Sequence, residues 1–486
     1  MNFDFSRGVR PALMPALVPE RPPHGATLLS ELGQTPAAWM NRPVASEAFH
    51  LVNPAGTSSG KSALMTYALF MLYLAGFIRF TVFDRKQDAI QYLVGLMAER
   101  SPRSFDSLRY VNIFADAQEP GRIPMNFALA DDPAPKELRA RALAHLIARS
   151  ATAGDILAAA VGHRIVGALV TLFTAILYAV HPRKSLLWAI DFLQMPSDGV
   201  VRLQALVPDE RVRIELQALT FLPPDVKAGV LARLRVLAAW PGIEAQIGAP
   251  TCIDFGRLIE HFNVCVDLQT AHAGSDDVVQ TFGSLLIEQF GRALLRRPSN
   301  PDTIRVLYID EGLQFPAGIQ AVARPLFETA RSRGGALWIS VQHLRGLREL
   351  GPVWDSAVSN VAYWLAGATS ADDARTIATE HFGSAADPRA AAFIRELVGL
   401  RQRQFALVTR QRVQMFRSAD LDFRAMDAAR ERETDRIRSA KWALSATPLP
   451  PPVRLWEVGG PRPLSAIVSA ASPTEVPSRR RRSFLG

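Results

Sequence analysis

At 486 residues, 48% hydrophobic and 21% charged, the chain is long enough for two or three domains with sizeable cores and too apolar to be disordered. A formal net charge of +9 is compatible with a polyanionic partner but does not require one. The only cysteines, Cys252 in "TCIDF" and Cys265 in "NVCVDL", have no histidine at ligand spacing, so two reduced, buried thiols are expected rather than a disulfide or a metal site.

Residues 1–45 are rich in proline and read as a loose extension without the charged-then-apolar pattern of a signal peptide. "AFHLV", at about 47–51, reads as a short buried strand, followed by the loop "NPAGTSSGKS" and an apolar helix from Ala63. "IRFTVFDRKQDAIQYLVGLMAER" reads as strand, turn and helix, and "LRYVNIFAD" as a further strand. From about 134 to 250 the strand signal vanishes. "PKELRARALAHLIARSA", "DILAAAVGHRIVGALVTLFTAILYAV" and "PPDVKAGVLARLRVLAAW" are helical in period, which predicts an all-helical insertion. Strands resume with "FNVCVDLQT", "TIRVLYIDE", "GALWISVQH" and "VAYWLAGA", and "QFALVTRQRVQMFR" reads as a terminal hairpin.

This alternation predicts an α/β fold, a mostly parallel sheet with helices on both faces, formed by residues 46–133 and 251–440 around the insertion 134–250. Residues 441–486 turn Pro-rich, end in "PSRRRRSFLG" and are expected to form a disordered tail. The run Arg479–Arg482 either meets an anionic partner or simply solubilises that end. Two apolar segments, 63–78 and 165–180, are each 16 residues, short of the roughly 20 needed to cross a bilayer, so buried helices and a soluble chain are expected.

The loop "AGTSSGKS" (55–62) has the ingredients of a phosphate cradle. Such a loop turns backbone N–H groups inward, reaches the terminal phosphates with a lysine and holds Mg²⁺ with a hydroxyl. Gly60, Lys61 and Ser62 supply that end, and the following helix points its positive N-terminus at the same anion. Ala55 stands where the pattern begins with glycine, which is tolerated if its φ is negative, and Ser58 is a second small departure. Hydrolysis needs carboxylates as well, and the strand "TIRVLYIDE" ends in Asp310 and Glu311. Asp310 is expected in the Mg²⁺ shell, and Glu311 is expected to accept a proton from, or to orient, the attacking water. Arg331 and Arg333 fall at a helix end and Gln342 at the end of the next strand, where a glutamine can sense a terminal phosphate or position water. The plain alternative for the arginines is a solvated surface.

Taken together, "AGTSSGKS", "VFDRKQDA", "RIPMNFAL", "VLYIDE", "RSRGG" and "VQHLRGL" resemble the conjugative type IV secretion ATPases of the FtsK–HerA superfamily, in either its TraG-like coupling or its TrbE-like assembly branch. The resemblance spans about residues 46–430 and implies a RecA-like P-loop domain with a helical insertion. It implies ATP and Mg²⁺ as cofactors, with contacts from Ala55, Gly56, Thr57, Ser58, Ser59, Gly60, Lys61, Ser62 and Ala63, and a place for Asp84 and Arg85 in a polar turn beside the nucleotide. Ser62 and Asp310 would hold the metal, Glu311 would be catalytic, Gln342 the sensor, and Arg331 the finger offered to a neighbouring subunit. It further implies a homo-hexameric ring, DNA as a partner, and other secretion-system proteins at the inner membrane face. The coupling branch usually begins with membrane-spanning helices and the assembly branch with a large N-terminal domain; only 54 residues precede Ala55, so a motor core without its usual anchor is expected.

Overall fold

The computed structural model describes residues 17–18, 49–74, 76, 78–115, 119–150, 158–269, 276–299, 303–384, 387–409, 413–418, 421–445 and 449–458. Its strands are β1 Leu17–Val18, β2 His50–Pro54, β3 Ile78–Asp84, β4 Leu108–Asn112, β5 Asn263–Asp267, β6 Ile304–Ile309, β7 Gly335–Val341, β8 Val361–Ala366, β9 Gln404–Val408 and β10 Val413–Ser418. They form one sheet in the order β1-β10-β9-β8-β2-β7-β6-β3-β5-β4. The pairings from β8 through β4 are parallel, and β9, β10 and β1 add antiparallel at one side. The expected hairpin is β9–β10.

Apolar residues on both faces explain why these strands read as continuous hydrophobic runs. Neighbours in sequence join opposite cores: Leu51, Tyr308 and Trp338 pack on one side of the sheet, Val52, Ile309 and Ile339 on the other. The first core is closed by the helices Lys61–Leu74 and Asp88–Arg100, the second by Asp276–Leu295 and Pro316–Thr329. The last two helices approach closely. A Cβ on Gly283 would stand 2.3 Å from the ring of Phe315, so the missing side chain seats that ring and with it the turn that follows β6.

The helical insertion lies in the crossover between β4 and β5, strands adjacent in the sheet. Its described elements run from Lys136–Ser150 to Pro241–Ile247 without a strand among them. Asp132, at its root, pairs with Arg292 at 3.6 Å on the helix Asp276–Leu295 and with Arg296 at 2.5 Å just past its end, tying the insertion to the sheet layer. The two apolar segments fall mainly in the helices Lys61–Leu74 and Ala158–Tyr178, and no described helix is long and apolar enough to cross a membrane. Cys252 and Cys265 are free thiols.

Two expectations shift. The first buried strand, His50–Pro54, runs on through Asn53 and Pro54, which look like turn residues. Proline is tolerated because it is the last strand residue, where its carbonyl accepts from Gly367 N–H and no donor is needed. The stretch "LPPPVRLWEV" (449–458), expected in a disordered tail, instead docks on the helical insertion. Arg454 pairs with buried Asp191 and with Glu244, Trp188 Nε1 donates to Val453 O at 2.8 Å, and Leu455 is buried. A buried carboxylate needs a counter-ion, and the tail supplies it. Arg479–Arg482 and nearly all of residues 1–45 lie outside the described residues.

Candidate active site

Because the central strands are parallel, their C-terminal ends meet at one edge of the sheet, where open α/β folds bind ligands. There the chain places the loop after β2, the turn after β3, Asp310 and Glu311 after β6, and Gln342 after β7. The loop is strung between neighbours: Ala55 N–H donates to Val341 O at 3.0 Å and Gly56 N–H to Ala368 O at 2.8 Å. Ala55 is fully buried and is not among the positive-φ residues, the condition under which alanine replaces glycine. Ser58 and Gly60 take the left-handed conformation, φ 62° and 89°, and Thr57 and Ser58 form the exposed tip. Lys61 and Ser62 open the helix Lys61–Leu74, with Ala63 in its first turn.

The side chains converge around Asp310 and Glu311. Ser62 Oγ donates to Asp310 Oδ2 at 2.8 Å, and Tyr308 Oη to Asp310 Oδ1 at 2.9 Å. Burial raises the Asp310 carboxyl above its ordinary range despite these donors and the nearby Lys61. Glu311 Oε1 accepts from Lys86 Nζ at 2.7 Å and from Gln342 Nε2 at 3.1 Å, with Lys61 Nζ 3.7 Å away, and Oε2 accepts from Gln314. Burial pulls the Glu311 carboxyl upward, but Lys86, Lys61 and Gln342 together hold it below the usual carboxylate range. Glu311 itself is left-handed, φ 51° and ψ 49°, a strained backbone for a non-glycine residue.

The cradle has unsatisfied donors. Lys61 is 6% exposed, yet its Nζ has no hydrogen-bond partner among the described residues, and neither has the buried Ser59 Oγ. Glu311 Oε1, 3.7 Å away, meets the ammonium's charge but accepts none of its hydrogen bonds, and buried donors without an acceptor fit a polyphosphate. The hydroxyl–carboxylate pair Ser62–Asp310 is the oxygen donor set Mg²⁺ takes when phosphates and waters complete its shell. Among the described residues no three His, Cys, Asp or Glu side chains form a self-sufficient metal cage.

Two expected residues take parts other than direct contact with the loop. Asp84 is buried, and both its oxygens accept backbone N–H groups, from Lys86 at 2.9 Å and Ile90 at 3.0 Å, so it fixes the turn after β3. Burial, with Asp310 close by, pushes its carboxyl up to about 7. Arg331 is exposed in the turn Ala330–Arg333 before β7, on the edge of the sheet opposite the loop. Seven β7 residues separate that edge from Gln342, roughly 20 Å of extended chain, so Arg331 does not reach its own subunit's loop. Its charge is felt instead by His50, whose imidazole burial and, to a lesser degree, the Arg331 charge push down to about 3.

Three participants were not singled out from the sequence. Lys86 and Gln314 flank Glu311, and Arg403 N–H donates to Ser59 O at 2.9 Å, bracing the loop from the start of β9. Lys86 had a signal, two residues beyond a strand that ends beside the loop. Arg403 had none, because only the sheet order brings it there.

No protein-family model matches the sequence, and no curated protein matches it either. Solved structures do. The chain is similar to VirB4 of Thermoanaerobacter pseudethanolicus, with 16% identity over 78% of this chain and 91% of that one and a TM-score of 0.50. It is similar also to the plasmid coupling protein TrwB in complex with a non-hydrolysable ATP analogue, at 11% identity, 78% and 86% coverage and a TM-score of 0.50. The chain shares its fold with these two proteins. The expected α/β architecture, a RecA-like P-loop domain with a mostly parallel sheet, is the one found.

Proposed function

We propose that this chain is an ATP-hydrolysing motor of a conjugation or type IV secretion-type system, moving DNA or DNA-linked protein as a homo-oligomeric ring. The observation that carries the reading is the convergence of Lys61, Ser62, Asp310, Glu311 and Gln342 on one sheet edge, with the Lys61 ammonium buried and without a hydrogen-bond acceptor among the described residues. In this reading backbone N–H groups of residues 55–63 and Lys61 bind the phosphates. Ser62 and Asp310 hold Mg²⁺, which when bound offsets the charge developing on the transferred phosphoryl group. Glu311 takes the proton of the attacking water, and Gln342 orients that water or reports the terminal phosphate. Arg331, on the far edge, is presented to the next subunit's site, the arrangement a head-to-tail ring requires. The likeness of fold to VirB4 and TrwB supports this setting. Residues 46–133 and 251–440 would be the motor domain, and the helical region 134–250 a part that rides on it. Secretion-system proteins at the inner membrane face would be its further partners.

The test is ATP turnover with and without single- and double-stranded DNA over a salt series, alongside a native mass measurement and the Lys61→Ala variant. The motor reading expects Lys61-dependent turnover that DNA stimulates, the stimulation falling steeply with salt because phosphate contacts release counterions. Turnover indifferent to DNA replaces it with the assembly-ATPase reading. No Lys61-dependent turnover removes both.

A further inference from the structure

The carboxylate of Glu311 leans on a side chain outside both the phosphate loop and the carboxylate strand. Lys86 lies two residues past the end of β3, and its Nζ donates to Glu311 Oε1 at 2.7 Å from a side chain that is 48% exposed. The turn that presents it is fixed on every side. Asp84 accepts the N–H groups of Lys86 and Ile90, Arg85 holds Asp276 and Gln314, and left-handed Gln87 donates its amide to the buried Asp267. Such a turn delivers an ammonium to a defined point.

The donors around Glu311 also divide its two oxygens. Oε1 is saturated by Lys86 and Gln342, whereas Oε2 meets Gln314 alone and keeps a lone pair. Lys61 stands 3.7 Å off and faces the phosphate loop. Among the described residues Lys86 is therefore the one full charge at hydrogen-bond distance that fixes the plane of the carboxylate, and Oε2 is the oxygen left to act as base.

We propose that Lys86 is a positioning residue for hydrolysis, holding Glu311 so that Oε2 accepts the proton of the attacking water. The inference rests on the ATPase reading and extends it to a new residue. In the step, the water oxygen bonds to the terminal phosphorus, the bond from that phosphorus to the bridging oxygen breaks with its electron pair leaving on the diphosphate, and the water proton passes to Oε2. A purely electrostatic role would have the opposite sign, because deleting a neighbouring cation makes the carboxylate a stronger base.

The experiment is steady-state ATPase kinetics on the full chain for wild type, Lys86→Ala, Lys86→Arg, Glu311→Gln and the Lys86→Ala/Glu311→Gln pair. Lys86→Ala should lower kcat by about 10- to 100-fold, with KM for ATP changed less than about twofold, as misplacement of a reacting group does. Lys86→Arg should recover most of the loss. In the Glu311→Gln background Lys86→Ala should cost nothing further, because the two act as one unit. An equal loss in both backgrounds, a raised KM at unchanged kcat, or a faster Lys86→Ala overturns the proposal. Thermal unfolding midpoints check folding, and Lys86→Gln replaces the alanine variant if that variant fails to fold. A wild type without Lys61-dependent turnover would overturn the ATPase reading and this inference together, whereas an active wild type with an additive cycle removes Lys86 alone.

Discussion

The most quantitative consequence of the fold concerns His50 at the base of β2. Its ring is buried, Nδ1 accepts the Leu337 N–H at 3.0 Å, and burial together with Arg331 depresses its pKa from 6.5 to about 3. A histidine with a lowered folded pKa is neutral in the native state, and the unfolded state binds the extra proton first. Stability is therefore fully present above pH 6.5 and is lost as pH falls toward 3. At pH 5 the unfolded chain gains about 1.5 pK units of proton binding that the folded chain lacks, roughly 2 kcal/mol, against about 0.2 kcal/mol at pH 7. Asp84, with its carboxyl raised to about 7, acts with the opposite sign in this window, so the prediction is a difference between proteins. His50→Asn keeps an acceptor at the Nδ1 position and removes the titration. Urea unfolding of both proteins at pH 7 and pH 5 should show wild type losing about 2 kcal/mol more than the variant. Parallel losses in the two proteins would refute the buried neutral ring.

Three further outcomes follow from the geometry. Glu311→Gln should retain binding of an ATP analogue and lose about 10²-fold or more of turnover, measured by phosphate release; rapid turnover would reassign the base. Arg331→Ala should lose about 10³-fold in turnover only under conditions where native mass shows an assembled protein, and an equal loss in isolated subunits would end the finger assignment. Arg454→Ala should cost about 3 kcal/mol of urea stability, because Asp191 is 0% exposed and would keep only the Leu455 N–H at 2.7 Å; a neutral result would mean that the 449–458 segment does not dock.

Much of this molecule was legible because its signals are local. Continuous apolar runs ending in a glycine-rich or acidic turn mark parallel strands buried on both faces, and β5 to β8 lie where those runs predict. The helical insertion showed itself by the loss of such runs. The loop–lysine–serine pattern and the acidic strand tip named Lys61, Ser62, Asp310 and Glu311 before any geometry, since each must lie at the end of its own strand to reach a shared anion. Pro54 misled because proline ordinarily ends a strand earlier, and the Pro-rich 449–458 because composition does not show that a buried Asp191 awaits an arginine.

The sequence by itself determined which residue types carry the chemistry and that a parallel sheet would present them. It could not order the strands. Only the tertiary structure set β2 between β7 and β8 and β6 beside β3, and so brought Lys86 to Glu311, Arg403 to the phosphate loop and Arg331 to the opposite edge beside His50. The reason is physical: a continuous apolar run shows that a segment is a strand covered on both faces, whereas the neighbour it pairs with is chosen by packing and crossover connections hundreds of residues apart.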